Sequence, residues 1–314
     1  MTRPAWTAER EITPAEARTL IGRRFPELAD AEVGFFAEGW DNTALRLRQP
    51  EAAEDLVFRF PRRSIALAGI RRELDWLPHL ASLVPLPIPV PMFSGSWNRD
   101  RSDPWPFWGA RMLAGTELAE AAPAAGERLY LAMALGEFLR ALHAVDPERP
   151  RVAALPLDPN DRSDPARREE RTLACLDRLQ GNGLDAPLEA AAALVRRAAA
   201  LPAASAAPVV SHGDLHPRHV LINGPDVTGI IDWGDLCVAD PCVDLSLAFG
   251  TFEGPQRAAF LAAYGPIDGE RELRARALAV SLNALLAEYA LAQPATGASI
   301  LPEVTAGIGR ALAG

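Results

Sequence analysis

Two aspartates set eighteen positions apart, Asp214 and Asp232, restrict this chain more than any other feature. Asp214 lies in Ser211-His212-Gly213-Asp214-Leu215-His216 and Asp232 in Ile230-Ile231-Asp232-Trp233-Gly234-Asp235. Between them run Val220-Leu221-Ile222 and Thr228-Gly229-Ile230-Ile231, two short β-rich stretches separated by Asn223-Gly224. Asn-Gly accepts the positive backbone torsions of a two-residue hairpin turn, so the stretches are expected to pair. A hairpin returns the chain to its starting end and brings both carboxylates to one small volume. One carboxylate can steer a hydroxyl while the other holds a hard cation, the two needs of phosphoryl transfer.

With 314 residues, 49% hydrophobic and 23% charged, the chain has enough apolar material for one bilobal domain or two. Met1 to Arg10 lack a signal-peptide core, and Asn283 and Glu288 interrupt the apolar run 277–292, which predicts a cytoplasmic protein without a membrane span. Cys175, Cys237 and Cys242 are odd in number and show no CxxC spacing, so buried free thiols are expected. All 32 basic residues are arginine. Mechanisms built on a lysine Schiff base or a P-loop lysine are thereby excluded. The net charge of −9 resides downstream: residues 1–114 carry 15 acidic residues against 15 arginines, and residues 115–314 carry 26 against 17. Such a field disfavours nucleic acid and suits a cationic small molecule, although a solvated surface accounts for it equally well.

The texture changes at Leu113-Ala114-Gly115, which predicts two parts, 1–113 and 114–314. Upstream, runs at 35–36, 43–47, 56–60, 90–93 and 107–113 read as an antiparallel sheet of about five strands, with one helix over about 65–83. Pro85, Pro87, Pro89 and Pro91 predict a stiff, extended connector. Downstream, apolar residues recur at three- and four-residue spacing over 126–145, 165–179, 187–200, 255–264 and 270–292, the mark of helices. The expected class is α+β: a sheet lobe with one helix, a hinge, and a helical lobe carrying an embedded hairpin, the protein kinase-like bilobal fold.

His212-Gly213-Asp214-Leu215-His216, then Ile231-Asp232-Trp233-Gly234-Asp235, then Asp240-Pro241 with Asp244-Leu245, resemble the aminoglycoside phosphotransferase family in order and spacing. These are kinase-like enzymes that phosphorylate hydroxyls of antibiotics and metabolites, and the resemblance spans nearly the whole chain. It implies that Asp214 accepts a proton from, or orients, the acceptor hydroxyl and that Asp232 holds Mg²⁺ between nucleotide phosphates. His212, Asp240 and Asp244 are then structural supports, and His216 either lines the acceptor site or is structural as well. One position departs from the pattern: five residues after Asp214 the family places a metal-binding Asn, and here stands His219. Imidazole suits Mg²⁺ less well than an amide oxygen, so His219 is either a ligand that favours Mn²⁺ or a packing residue. Asp235 is close enough in sequence to contribute, and a turn role is equally open.

Leu56-Val57-Phe58-Arg59-Phe60 resembles the strand whose basic residue contacts nucleotide phosphates, with Arg59 where kinases usually carry lysine. Arg59 alternates with Phe58 and Phe60 and so faces away from them; Glu73 is the candidate anionic partner. Glu38-Gly39-Trp40-Asp41-Asn42-Thr43 resembles the nucleotide-covering loop, where Asn42 and Thr43 join backbone amides around phosphates. Met112 and Leu113 fit the hinge that meets the purine, or simply the core. The implied activity is transfer of the γ-phosphoryl group of ATP or GTP, with Mg²⁺ or Mn²⁺, to a hydroxyl of an aminoglycoside, a macrolide or a metabolite alcohol. Residues 56–63 are more similar to macrolide-type members. A nucleotide-binding pseudokinase or regulatory module is the alternative, supported only by His219. A protein kinase is disfavoured because Asp240-Pro241 follows Asp235 after four residues, which leaves no room for an activation loop.

Overall fold

A computed structural model of the protein describes residues 8–39, 41–49, 53–97, 104–148, 154–204 and 207–313. It divides into one unit of Met1–Ser82, Ile88–Leu113 and Arg151–Ala153, and a second of Leu83–Pro87, Ala114–Pro150 and Ala154–Gly314.

The first unit opens with α1 (Pro14–Arg24), started by a capping box in which Thr13 Oγ1 accepts from Glu16 N and Thr13 N donates to Glu16 Oε2. Only Ala17 and Ile21 of α1 are buried, too thin a stripe to read as a period in the sequence. Five antiparallel strands follow, β1 (Glu32–Glu38), β2 (Asn42–Arg48), β3 (Leu56–Pro61), β4 (Phe93–Trp97) and β5 (Trp105–Arg111), ordered β1-β2-β3-β5-β4. Alternation puts Leu45, Leu47, Phe58, Phe60 and Phe107 into one cluster with Ile21 and Leu28. That face is apolar enough to leave the opposite face of β3 to Arg59. The helix expected over 65–83 is shorter, α2 (Leu67–Leu80), because Ser64–Ala66 is spent in a 3₁₀ turn. The strand expected at 90–93 instead begins at Phe93, since proline cannot donate to a ladder and Pro91 is the last of the run. The strand expected over 107–113 lies at 105–111, so Met112 and Leu113 are outside the sheet.

The second unit comprises β6 (Thr116–Glu117), α3 (Leu118–Ala121), α4 (Ala125–His143), α5 (Pro165–Gly181), α6 (Leu188–Ala199), β7 (Val209–Ser211), β8 (Val220–Asn223), β9 (Asp226–Ile230), β10 (Cys237–Ala239), α7 (Cys242–Thr251), α8 (Gly254–Tyr264), α9 (Gly269–Ala292), α10 (Pro294–Gly297) and α11 (Leu301–Leu312). The expected helices are α4, α5, α6, α8 and α9, displaced by at most two residues at any end. Asp164 and Asp268 cap α5 and α9 by accepting backbone N–H groups of the first turn. Helix α7 escaped the periodic reading because all of its residues are buried, which erases any amphipathic alternation. Helix α9 is long and apolar enough to span a membrane, yet Ala275, Leu278, Val280 and Ala284 are buried and it packs on α5, α7 and α11. The three cysteines are buried and free.

The β8–β9 hairpin forms, with β6 on its far edge, while β7 pairs with β10. Its turn is one residue later than the sequence suggests. Asn223 pairs with Asp226, so Gly224-Pro225 are the turn residues, with Gly224 at φ +57° supplying the left-handed torsion and proline following it. Pro87, within the proline-rich connector, lends its carbonyl to the N–H of Ile230 at 2.9 Å.

A buried ion pair ties α4 to α11. Arg128 donates to both oxygens of Glu303, at 3.0 and 2.6 Å, and Arg310 donates to the same carboxylate at 2.7 Å. Removing that charge would strand a buried guanidinium, and Glu303→Gln is expected to cost about 3–5 kcal/mol of stability. Urea unfolding tests this; an unchanged midpoint would mean that the pair contributes no more than a surface salt bridge.

Candidate active site

The loop after β7 is held from beneath by one carboxylate. Asp244, fully buried in the first turn of α7, accepts the N–H of His212 at 2.8 Å on one oxygen and that of Gly213 at 3.0 Å on the other. His143 Nε2 approaches Asp244 at 3.2 Å, and its Nδ1 lies 2.9 Å from the Tyr264 hydroxyl. Burial, the largest influence, pushes the Asp244 carboxyl up, but His143, His212 and the Gly213 N–H outweigh it and hold it below its ordinary value. Gly213 itself sits at φ +86°, and a Cβ there would run into the carbonyl oxygen of Asp235, so only glycine lets the two strands of the site approach. Asp240 closes the turn into α7, accepting from Cys242 N at 2.8 Å and from Arg271 Nε at 3.3 Å. His212, Asp240 and Asp244 are thus all engaged in holding backbone and neighbouring side chains.

Three imidazoles line the way from Asp214 to Asp232. His212 accepts the Asp214 N–H on Nδ1 (3.3 Å) and donates from Nε2 to the Ile231 carbonyl (2.9 Å), which fixes it as a neutral ring against Trp233. His216 accepts the Arg218 N–H on Nδ1, leaving Nε2 at 3.8 Å from Asp214 Oδ2. His219 stacks on His216, with ring centres 3.8 Å apart. Its Nδ1 donates to the backbone carbonyl of Asp214 at 2.7 Å, and its Nε2 lies 3.4 Å from Asp232 Oδ2. Nε2 is thus turned toward a carboxylate oxygen. An imidazole nitrogen and a carboxylate oxygen can both ligate a divalent cation, and donation of the other ring nitrogen to a carbonyl is the orientation that metal-ligating histidines usually show. The donor set of Asp232 and His219 therefore fits a divalent cation. Asp232 is half exposed and adopts φ +65°, a left-handed torsion that aspartate tolerates better than most residues.

Arg162 was not legible in the sequence. It stands in the turn-rich stretch Asp158-Pro159-Asn160-Asp161-Arg162-Ser163, distant in the chain from both aspartate motifs, and no spacing rule singles it out. Asp158 fixes this turn by accepting from Arg162 N (2.8 Å) and from the N–H (2.7 Å) and hydroxyl of Ser163. The guanidinium then donates to Asp214 Oδ1 at 2.8 Å, Asp235 Oδ2 at 2.7 Å and the Gly213 carbonyl. Burial is the largest influence on Arg162 and opposes its charge, but Asp214 and Asp235 overcome it and push its pKa up. Asp235, open in the sequence between metal and turn, is here the second anchor of Arg162.

In the first unit, Arg59 Nη1 lies 3.3 Å from Glu73 Oε1, the expected partner, and Glu73 is fully buried. Trp108 Nε1 donates to the other Glu73 oxygen at 2.9 Å, which sets the carboxylate for Arg59. Asn42 and Thr43 belong to β2 rather than to a loop, paired with Pro61 and Phe60. The turn before them is closed by Gly39 N donating to the Asn42 carbonyl at 2.9 Å and braced by Arg62 on Gly39 O and Arg63 on Asp41. Trp40 lies outside the described residues. Met112 and Leu113 are half-buried, and the Met112 N–H is taken by the Asp55 carbonyl at 2.9 Å.

Residues 32–278 match the family described as the phosphotransferase enzyme family, APH. The chain belongs to this family, and it is a phosphotransferase. A stretch of 55 residues, 17% of this chain and 17% of the relative, is 49% identical to the uncharacterized protein YcbJ of Bacillus subtilis (strain 168), so that match spans less than a fifth of the relative's length. The GDP and kanamycin complex of APH(2")-IIia is similar over 94% of this chain and 97% of that one, at 24% identity and a TM-score of 0.65. The apoenzyme of macrolide 2'-phosphotransferase MphH from Brachybacterium faecium is similar over 94% and 97%, at 23% identity and a TM-score of 0.56. These likenesses establish the kinase-like α+β fold.

The histidines also set a pH limit. Burial, followed by the neighbouring charge of His219, pushes His212 down and His216 well down from the ordinary value of 6.5. Both are then neutral in the native protein but protonated in the unfolded chain below about pH 6.5, so stability present above that pH falls as it drops toward the native values. The expected slope is up to about 1.4 kcal/mol per pH unit for each histidine. Urea unfolding between pH 7.5 and pH 5.5 tests this, and a flat profile in that interval would rule it out.

Proposed function

We propose that this protein is a small-molecule kinase that transfers the γ-phosphoryl group of ATP or GTP to a hydroxyl of an antibiotic or a metabolite alcohol. The observation that carries this reading is His219, whose two nitrogens touch the Asp214 carbonyl and the Asp232 carboxylate and so fix the spacing of the two aspartates. Asp214 is assigned to the acceptor hydroxyl. Arg162 pins its Oδ1, which leaves Oδ2, on the His216 side, to receive or orient the hydroxyl proton. Asp232 and His219 Nε2 would hold Mg²⁺ or Mn²⁺, with water and phosphate oxygens completing the shell; when bound, the ion neutralises phosphate charge. Arg59, oriented by Glu73, is assigned to the nucleotide phosphates, where a guanidinium binds bidentately. Asn42, Thr43, Met112 and Leu113 are assigned to the nucleotide side.

Catalysis on this reading is positioning and charge neutralisation rather than covalent chemistry. A purine nucleotide is supported by the GDP bound to the aminoglycoside relative. An aminoglycoside or macrolide acceptor is supported by the activities named for the two similar structures, and a cationic acceptor by the acidic balance of residues 115–314. We assign the enzyme to the cytoplasm.

Asp214→Asn keeps the shape but cannot take the proton, and is expected to lower turnover at least about 10²-fold while nucleotide still binds. Wild-type turnover in this variant, measured on whichever of kanamycin, a macrolide or a simple alcohol proves to be the acceptor, would remove Asp214 from the chemistry. Asp232→Ala is expected to weaken nucleotide binding in the presence of Mg²⁺ but not in its absence. Calorimetric titration separates the two aspartates: an unchanged Mg²⁺ effect would exclude Asp232 as a ligand. His219→Asn is expected to shift preference from Mn²⁺ toward Mg²⁺, because an amide oxygen suits the harder ion better than imidazole does; identical metal preference would make His219 a packing residue.

A further inference from the structure

His216 opens a 3₁₀ turn, Pro217–His219, which its side chain caps by accepting the Arg218 N–H on Nδ1 at 3.3 Å. His219 N closes the turn by donating to the His216 carbonyl at 2.9 Å, and the His219 ring lies against that of His216. One face of the imidazole is therefore covered and one nitrogen engaged, which fixes the ring. Its side chain is 10% exposed. A ring nitrogen that accepts an N–H carries no proton, and the other nitrogen of the histidine then does. Nε2–H is thus a nearly buried donor, and among the described residues no acceptor lies within hydrogen-bond distance of it. Asp214 Oδ2 stands before it at 3.8 Å, too far for a direct bond.

Asp214 is in the complementary condition. Arg162 takes its Oδ1 at 2.8 Å, while its Oδ2 accepts no hydrogen bond among the described residues. A gap of 3.8 Å is closed by one oxygen that makes an ordinary bond of about 2.8 Å to each atom. Such an oxygen must donate to the carboxylate and accept from the imidazole. A hydroxyl does both, whereas an ammonium has three donors and no acceptor. We propose that His216 Nε2–H and Asp214 Oδ2 form a two-point clamp for the acceptor hydroxyl, and that His216 thereby selects an alcohol over an amine. This deepens the kinase reading of Asp214 and rests on it. His216 keeps its proton throughout, and Asp214 alone receives the hydroxyl proton as the oxygen is phosphorylated. The imidazole occupies one lone pair of that oxygen and leaves the other to attack phosphorus, so the alcohol is aimed rather than activated. The selection has a purpose in so acidic a half-chain, because a carboxylate alone would attract an ammonium as readily as a hydroxyl.

Two measurements need no substrate. Long-range proton–nitrogen correlation spectra near pH 7.5, with the His216 signals assigned by their loss in His216→Gln, should show the proton on Nε2; a proton on Nδ1 would overturn the proposal. A crystal structure of the free enzyme should hold a water oxygen about 2.7–3.2 Å from both His216 Nε2 and Asp214 Oδ2, in the place of the acceptor hydroxyl. A direct bond between the two side chains would overturn the proposal as well. Turnover is then measured on kanamycin, a macrolide and a simple alcohol. On whichever is phosphorylated, His216→Phe keeps a ring against His219 but has no donor, and should lower kcat/KM for the acceptor about 3- to 10-fold with the nucleotide KM unchanged. His216→Gln again offers an N–H and should recover most of that loss. The Phe variant should also shift binding toward an analogue carrying an amine in place of the reacting hydroxyl. Equal losses in both variants, with a raised nucleotide KM, would reduce His216 to a cap of its turn. Should the Phe variant not fold, the two measurements without substrate still decide. Failure of the wild type to phosphorylate any of the three acceptors would count against the kinase reading, whereas the wrong tautomer or the missing water would count against the clamp alone.

Discussion

The grip of Asp244 on the N–H groups of His212 and Gly213 is the constraint on which the site depends. A buried carboxylate needs donors, and Asp244 finds two backbone amides in the loop after β7 and, from α4, a histidine held by Tyr264. The bend this imposes is one that Gly213 alone can follow, because the Asp235 carbonyl occupies the room of any side chain. Once the bend is made, Asp214 projects beside His216, and His219 returns to its carbonyl. Loss of the Asp244 charge would release every one of these positions, although Asp244 touches no reacting group.

The second organising principle is the use of arginine for every basic task. A guanidinium stays charged at any accessible pH and can hold two partners at once. Arg128 uses this to tie α4 to α11 through Glu303, Arg162 to bridge Asp214 and Asp235, and Arg59 to face Glu73 beneath Trp108. Lysine, whose three donors radiate from one atom, lacks the planar fork that lets a guanidinium meet two acceptors set apart. The same preference explains how a guanidinium such as Arg168 can be kept buried against the Ser281 hydroxyl and the Asn160 carbonyl: its planar fork is more weakly hydrated than an ammonium and is less costly to desolvate.

Within the sheet unit, aromatic stacking does the corresponding work. Phe58, Phe60 and Phe107 interlock, with the Phe60 and Phe107 ring centres 4.8 Å apart, and this fixes the face of β3 that carries Arg59. The buried face is so uniformly apolar that a register slip would place Arg59 within it, which makes the pairing of β2, β3 and β5 unambiguous.

The sequence by itself determined the class of fold, six of the helices, the hairpin that joins Asp214 to Asp232, and the partnership of Arg59 with Glu73. These are local matters: period, proline and glycine chemistry, and alternation on one strand act over a few residues and survive without knowledge of the rest of the chain. The fully buried α7 and the thinly buried α1 were illegible for opposite reasons, one having no polar face and the other hardly an apolar one. The turn at Gly224-Pro225 was misplaced by one residue because Asn-Gly and Gly-Pro both satisfy turn chemistry, and only the pairing of Asn223 with Asp226 separates them. What the tertiary structure decided was the company of the aspartates: Arg162 arriving from a loop far upstream, and His219 turned so that one nitrogen serves a carbonyl and the other faces Asp232. Contacts between segments distant in sequence depend on how helices pack and on which backbone groups remain unsatisfied, and neither quantity is carried by any short stretch of residues.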